Sequence, residues 1–146
     1  MPNVDFYLLN TLDQKEMYRF LCRLVDKAYQ QQLTACLYTS SLEEAHYLDD
    51  LLWTFRDISF IPHQIGENAS TLLPLSITIT TDQPTLVHND ILFNLTQGVQ
   101  PFFLQFSRII ETVSAEKTKK MKARKRYGYY KEQSCTLTTH NISLPC

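Results

Sequence analysis

Residues 35–55 read ACLYTSSLEEAHYLDDLLWTF, and this stretch holds one full strand-to-helix unit of the fold. ACLY is an apolar run of strand length. The TSS after it offers helix N-caps, because a Ser or Thr oxygen can accept from the orphan amides of a first helical turn. Ser41, with Glu44 three residues on, has the form of a capping box. At about 100° per residue, Ala45, Leu48, Leu51, Leu52 and Phe55 gather on one face of a helix over residues 42–55. Trp53 falls well off that face, near Leu42 and Asp49. A covering loop and an exposed docking ring are both open readings for it.

The same alternation extends in both directions. Upstream, VDFYLL (residues 4–9) is strand-like, and Met17, Phe20, Leu21, Leu24, Val25 and Ala28 repeat with the spacing of an amphipathic helix. Downstream, SFIP (59–62) reads as a brief strand ended by proline, and residues 64–74 read as a loop. LSITIT (75–80), ILFNL (91–95) and RIIETV (108–113) read as further strands, with a turn at 98–101. Residues 114–131 are rich in Ala, Lys, Arg and Glu and favour a helix. The Thr- and Ser-rich tail at 132–146 takes no assignment. Strands alternating with helices predict a single α/β domain over residues 1–131, layered around a mostly parallel sheet.

Composition narrows the class. At 146 residues, 44% hydrophobic and 20% charged, the chain can bury a core without disulfides or metals. No apolar run approaches the roughly 18 residues that span a bilayer, and no signal pattern opens the chain, so a cytoplasmic protein with no membrane contact is expected. Cys22, Cys36, Cys135 and Cys146 include no CxxC pair and read as reduced thiols. The three glycines (Gly66, Gly98, Gly128) cannot write GxGxxG or GxxxxGK[ST], so no functional nucleotide-binding loop is expected. His46, His63, His88 and His140 form no ligand pair, and neither a metal nor a cofactor is implied. Asp49 and Asp50 diverge on a helix, and GxSxG is absent. Nothing in the sequence names a catalytic residue.

Charge is the sharpest signal. Residues 1–116 carry fourteen acidic and six basic side chains, a balance of −8, whereas residues 117–131 carry eight basic and no acidic ones. Such a segment is suited to meet something negative. On a helix Lys120, Arg124, Tyr127 and Lys131 form one stripe. It could hold an acidic peptide, with the guanidinium on a carboxylate and the ring under an apolar side chain. It could equally hold phosphates, with Tyr127 stacked on a base. Lys119, Lys122 and Arg126 fall on other sides, which also fits a helix ringed by solvated cations.

Six segments in order resemble the chi subunit family of bacterial DNA polymerase III: FYLL (6–9), LDDLLWTF (48–55), SFIPH (59–63), DILFNL (90–95), RIIETV (108–113) and ARKRYGYYK (123–131). The resemblance implies a Rossmann-like three-layer fold and a non-catalytic accessory subunit of the polymerase III holoenzyme, a DNA-directed DNA polymerase (a nucleotidyltransferase), in its clamp-loader complex. It also implies two partners. The acidic, Phe-terminated C-terminal tail of single-stranded-DNA-binding protein would sit on Val113, Lys120, Arg124, Tyr127 and Lys131. The psi subunit would sit on Trp53, Phe60 and Pro62, a patch that a repair helicase also uses in some members. Contact with DNA would then be mainly indirect. Direct binding of single-stranded nucleic acid by the basic helix is the alternative. Gly128 departs from the helix expected there and should bend or shorten it, at about 1 kcal/mol relative to Ala. The tail from Cys135 onward matches nothing in the family pattern.

Overall fold

A computed structural model of the chain describes residues 2–54, 63–65, 77–81 and 90–143. Strand β1 (Asn3–Leu9) leads into helix α1 (Gln14–Gln30), then β2 (Ala35–Tyr38) and α2 (Leu42–Thr54). Strands β3 (His63–Ile65), β4 (Ile77–Thr80) and β5 (Ile91–Asn94) follow. A single 3₁₀ turn at Phe103–Gln105, β6 (Arg108–Val113), α3 (Lys117–Glu132) and β7 (Thr136–Ile142) complete the described chain. The strands form one sheet in the order β3-β4-β2-β5-β6-β1-β7, and every pairing is parallel. The α/β, Rossmann-like three-layer architecture is therefore as expected, with a sheet more uniformly parallel than the alternation required.

Local chemistry sets the helix ends. Asp13 caps α1 by accepting from the Lys15 amide at 2.9 Å, and Lys27 lies in its last turn, complementing the helix dipole. The chain leaves α1 through Gln32, whose φ of 61° is a left-handed turn that lets the Leu33 amide donate to the Ala28 carbonyl. At α2, Ser41 Oγ accepts from the Glu44 amide at 3.1 Å, and the Glu44 carboxylate accepts from the Ser40 amide at 3.3 Å. The box forms, with its return arm one residue earlier than the motif prescribes. Glu44 also accepts from the Tyr18 hydroxyl at 2.6 Å, tying α2 to α1.

Both faces of the sheet are covered. Leu21, Val25 and Ala28 of α1 and Ala45, Leu48 and Leu52 of α2 pack on Leu37, Ile79 and Phe93. On the other face Ala123 and Tyr130 of α3, with Phe102, Phe103 and Phe106, pack on Val4, Phe6, Leu92 and Ile109. Each residue of β4 and of β5 is buried, as parallel strands covered on both sides require. Cys22 lies in the first of these layers, where burial pushes its thiol up to about 12, and none of Cys22, Cys36 and Cys135 is in a disulfide.

Three readings differ from this structure. His63–Ile65 is strand β3, partly inside the stretch read as a loop; its parallel pairing with β4 supplies hydrogen bonds that three residues could not advertise alone. The unassigned tail contains β7, which extends the sheet beside β1 from Asn3↔Thr136 to Leu9↔Ile142. Gly128 does not break α3, which runs unbroken from Lys117 to Glu132. The predicted strand at residues 59–62 lies outside the described residues.

Candidate functional site

Helix α3 crosses the sheet face above β1 and β6, and its three buried side chains are Ala123, Arg126 and Tyr130. Arg126 belongs to no ring of solvated cations. Its Nε donates to Glu111 Oε1 at 3.1 Å, and its Nη1 donates to the Gln97 carbonyl at 3.3 Å. Glu111 projects from the middle of β6 and is fully buried. Its Oε2 accepts from the Tyr130 hydroxyl at 2.7 Å and from Asn94 Nδ2 at 2.9 Å. Burial pushes the Glu111 carboxyl up from its ordinary range, against the pull of Arg126, Tyr130 and Asn94. Burial and the neighbouring carboxylate push the Tyr130 hydroxyl far above its usual value, so it serves as a donor. This network fixes the rotation of α3 about its own axis.

With Ala123, Arg126 and Tyr130 pointing down, helical geometry places five of the other seven cations of α3 on two flanks. At about 100° per residue, Lys120, Arg124, Tyr127 and Lys131 centre on one flank, and Lys122, Lys125 and Tyr129 on the other, about 160° away. Gly128 sits near the outer pole between them. A Cβ added there would meet nothing within 4 Å, so the packing does not require glycine at this position. Gly128→Ala should therefore stabilise the fold by about 1 kcal/mol, raising Tm by about 2–4 °C in a thermal melt followed by circular dichroism. An unchanged or lower Tm would mean that the pole is not open.

The first flank borders a groove of 220 Å³. Phe6, Leu8, Val113 and Ala123 supply its apolar walls, and Lys120, Arg124, Tyr127 and Thr139 complete the lining. The Tyr127 ring rests against Phe6 at 5.4 Å between centroids and remains 37% exposed. Of the site residues named from the sequence, the fold thus brings Val113, Lys120, Arg124 and Tyr127 around one groove. Lys131, exposed in the last turn of α3, does not line it. Phe60 and Pro62 lie outside the described residues, as does the side chain of Trp53, whose backbone belongs to the last turn of α2.

The comparison with known sequences decides the family. Residues 1–138 match the family described as "DNA polymerase III chi subunit, HolC". This chain belongs to the DNA polymerase III chi subunit family. The protein named DNA polymerase III subunit chi from Pseudomonas aeruginosa is 32% identical over 142 residues, covering 97% of this chain and 98% of its own length. Proteins of the same name from Haemophilus influenzae and Escherichia coli are 28% and 26% identical, covering 94% and 95% of this chain and 96% and 97% of their own lengths.

The chi-family match takes in every residue lining the groove except Thr139, the one contribution from β7 beyond its limit. Sequence reasoning missed Phe6, Leu8, Ala123 and Thr139 as groove residues, because they lie on three separate elements and meet only when β1, β7 and α3 assemble. It also missed Glu111 as the anchor of Arg126. A signal for that existed: a lone carboxylate directly after Ile109 and Ile110 in a strand needs a partner once that stretch is buried.

Proposed function

We propose that this chi-family chain is a non-catalytic accessory subunit of the DNA polymerase III holoenzyme, acting in DNA replication within the clamp-loader complex. Its α3–β1 groove takes the acidic, Phe-terminated C-terminal tail of single-stranded-DNA-binding protein. The observation that carries this reading is the groove's chemistry: apolar walls from Phe6, Leu8, Val113 and Ala123 suited to an aromatic side chain, with Arg124 and Lys120 in the same lining for carboxylates. A guanidinium can take a terminal carboxylate through two parallel hydrogen bonds while the ring is held beneath it. Among the described residues no helix is long and apolar enough to cross a membrane, which is compatible with work in the cytoplasm of a bacterium. The direct test is titration of an acidic peptide ending in phenylalanine. Binding that single-stranded DNA fails to displace upholds the assignment; absence of peptide binding overturns it.

The psi subunit is assigned to the end of α2, around Trp53, Phe60 and Pro62, on the strength of the LDDLLWTF and SFIPH resemblance and of a tryptophan set off the core face of its helix. Buried rings of this kind carry much of an interface's affinity. Trp53→Ala is expected to abolish co-elution with co-expressed psi on gel filtration, and unchanged co-elution would place psi elsewhere. A repair helicase competing for the same patch would be excluded by psi in that assay.

A further inference from the structure

The opposite flank of α3 belongs to neither proposed contact, yet it is built. Lys122, Lys125 and Tyr129 line a second groove of 410 Å³, walled by Val99 and Pro101 from the turn after β5. It is wider and more open than the first. Both lysines are exposed, and Tyr129 is 43% exposed. Its ring is braced edge-on by Phe103 at 6.1 Å, so it is presented by packing and does not depend on a ligand for its position. Arg126, which also borders this groove, is committed to Glu111.

We infer that this second groove binds single-stranded nucleic acid. Two observations favour that occupant over a second acidic peptide, and a third confines any polyanion to α3. The available cations are lysines, which meet phosphates as point charges, whereas the forked donor suited to carboxylates is absent from this flank apart from the committed Arg126. A braced, exposed ring on the same flank of α3 as two lysines suits an unpaired base stacked on the ring while the backbone follows the charges. The remaining body of the chain is acidic, with a balance of −8 over residues 1–116, so a polyanion is confined to α3. Duplex DNA offers no free base face to Tyr129, which restricts the ligand to single strands. This inference does not rest on the peptide assignment, since the two grooves share no rim residue.

The test is fluorescence anisotropy of a labelled oligothymidylate with the full chain at low salt. The wild type is compared with Lys122→Glu/Lys125→Glu, with Tyr129→Leu, and with the charge-matched Lys120→Glu/Arg124→Glu from the first flank. The Lys122/Lys125 pair should lose at least about tenfold in affinity, and its slope of log K against log salt should fall by about 1.4, two phosphate contacts at about 0.7 each. Tyr129→Leu, which keeps the packing on Phe103, should lose about tenfold as stacking is removed. The first-flank pair should retain most of the wild-type affinity. Wild-type protein that fails to bind the oligonucleotide overturns the inference. Equal losses in the two charge-reversed pairs also overturn it, because they would report net charge alone. So does displacement of the oligonucleotide by the acidic peptide, which would place both ligands in one groove.

Discussion

Glu111→Ala is expected to destabilise the fold by about 3–5 kcal/mol, the cost of breaking a buried ion pair from one side. Arg126 would keep its charge under α3, 5% exposed, with only the Gln97 carbonyl at 3.3 Å left to it. The Tyr130 hydroxyl and Asn94 Nδ2 would each lose an acceptor, although Asn94 retains the Gly98 carbonyl at 2.9 Å. For a domain whose whole stability is about 5–15 kcal/mol, that is a large fraction. Urea denaturation reads it directly as a lower midpoint. A loss under about 1 kcal/mol would show that Arg126 escapes to water and that Glu111 is not its anchor. The paired replacement Glu111→Leu/Arg126→Met should recover much of the loss, since a buried pair exchanged for apolar side chains of similar volume is often neutral. If the pair positions α3, the repaired variant should fold and still bind the acidic peptide less well, because α3 would lose its fixed rotation over β1.

The network also shows what could and could not be read from the sequence. Strand β2 and helix α2 were legible almost to the residue, and α1 by its apolar face from Met17 to Ala28, because amphipathic periodicity, strand length and caps such as Ser41–Glu44 are local signals. The stripe on α3 was legible for the same reason: a period of about 3.6 residues needs no tertiary information. Strand β7 was not. Its residues TLTTHNI are mostly polar and half or fully exposed, as suits an edge strand, and what makes them a strand is the parallel ladder with β1. Gly128 misled because its helix penalty is a small local term, overridden by the anchoring of Arg126 and Tyr130 on either side of it. Arg126 itself was misread because composition counts it as one more cation. Only Glu111, fifteen residues earlier on another element, makes it a buried one.

Arg124→Ala should weaken binding of an acidic peptide ending in phenylalanine by about ten- to a hundredfold, the equivalent of the 1.5–3 kcal/mol typical of a hydrogen bond to a charged group. Arg124 is exposed and lines the groove, so its removal costs the fold little and the loss can be read in isothermal titration without a stability correction. Arg124→Lys keeps the charge and loses the fork, and should fall between wild type and alanine. Amidation of the peptide's C-terminus should reproduce most of the Arg124→Ala loss, and the two together should not add, because both remove the same contact. Lys120→Ala should cost less, and its effect should fade in high salt, since an exposed ammonium acts through a screened field. Lys131→Ala should cost least of the three, because Lys131 stands beyond the groove that Lys120 and Arg124 border. A variant ranking in which Lys131 matters most and Arg124 changes affinity less than about twofold would put the peptide along the outer face of α3 and remove the groove from the argument.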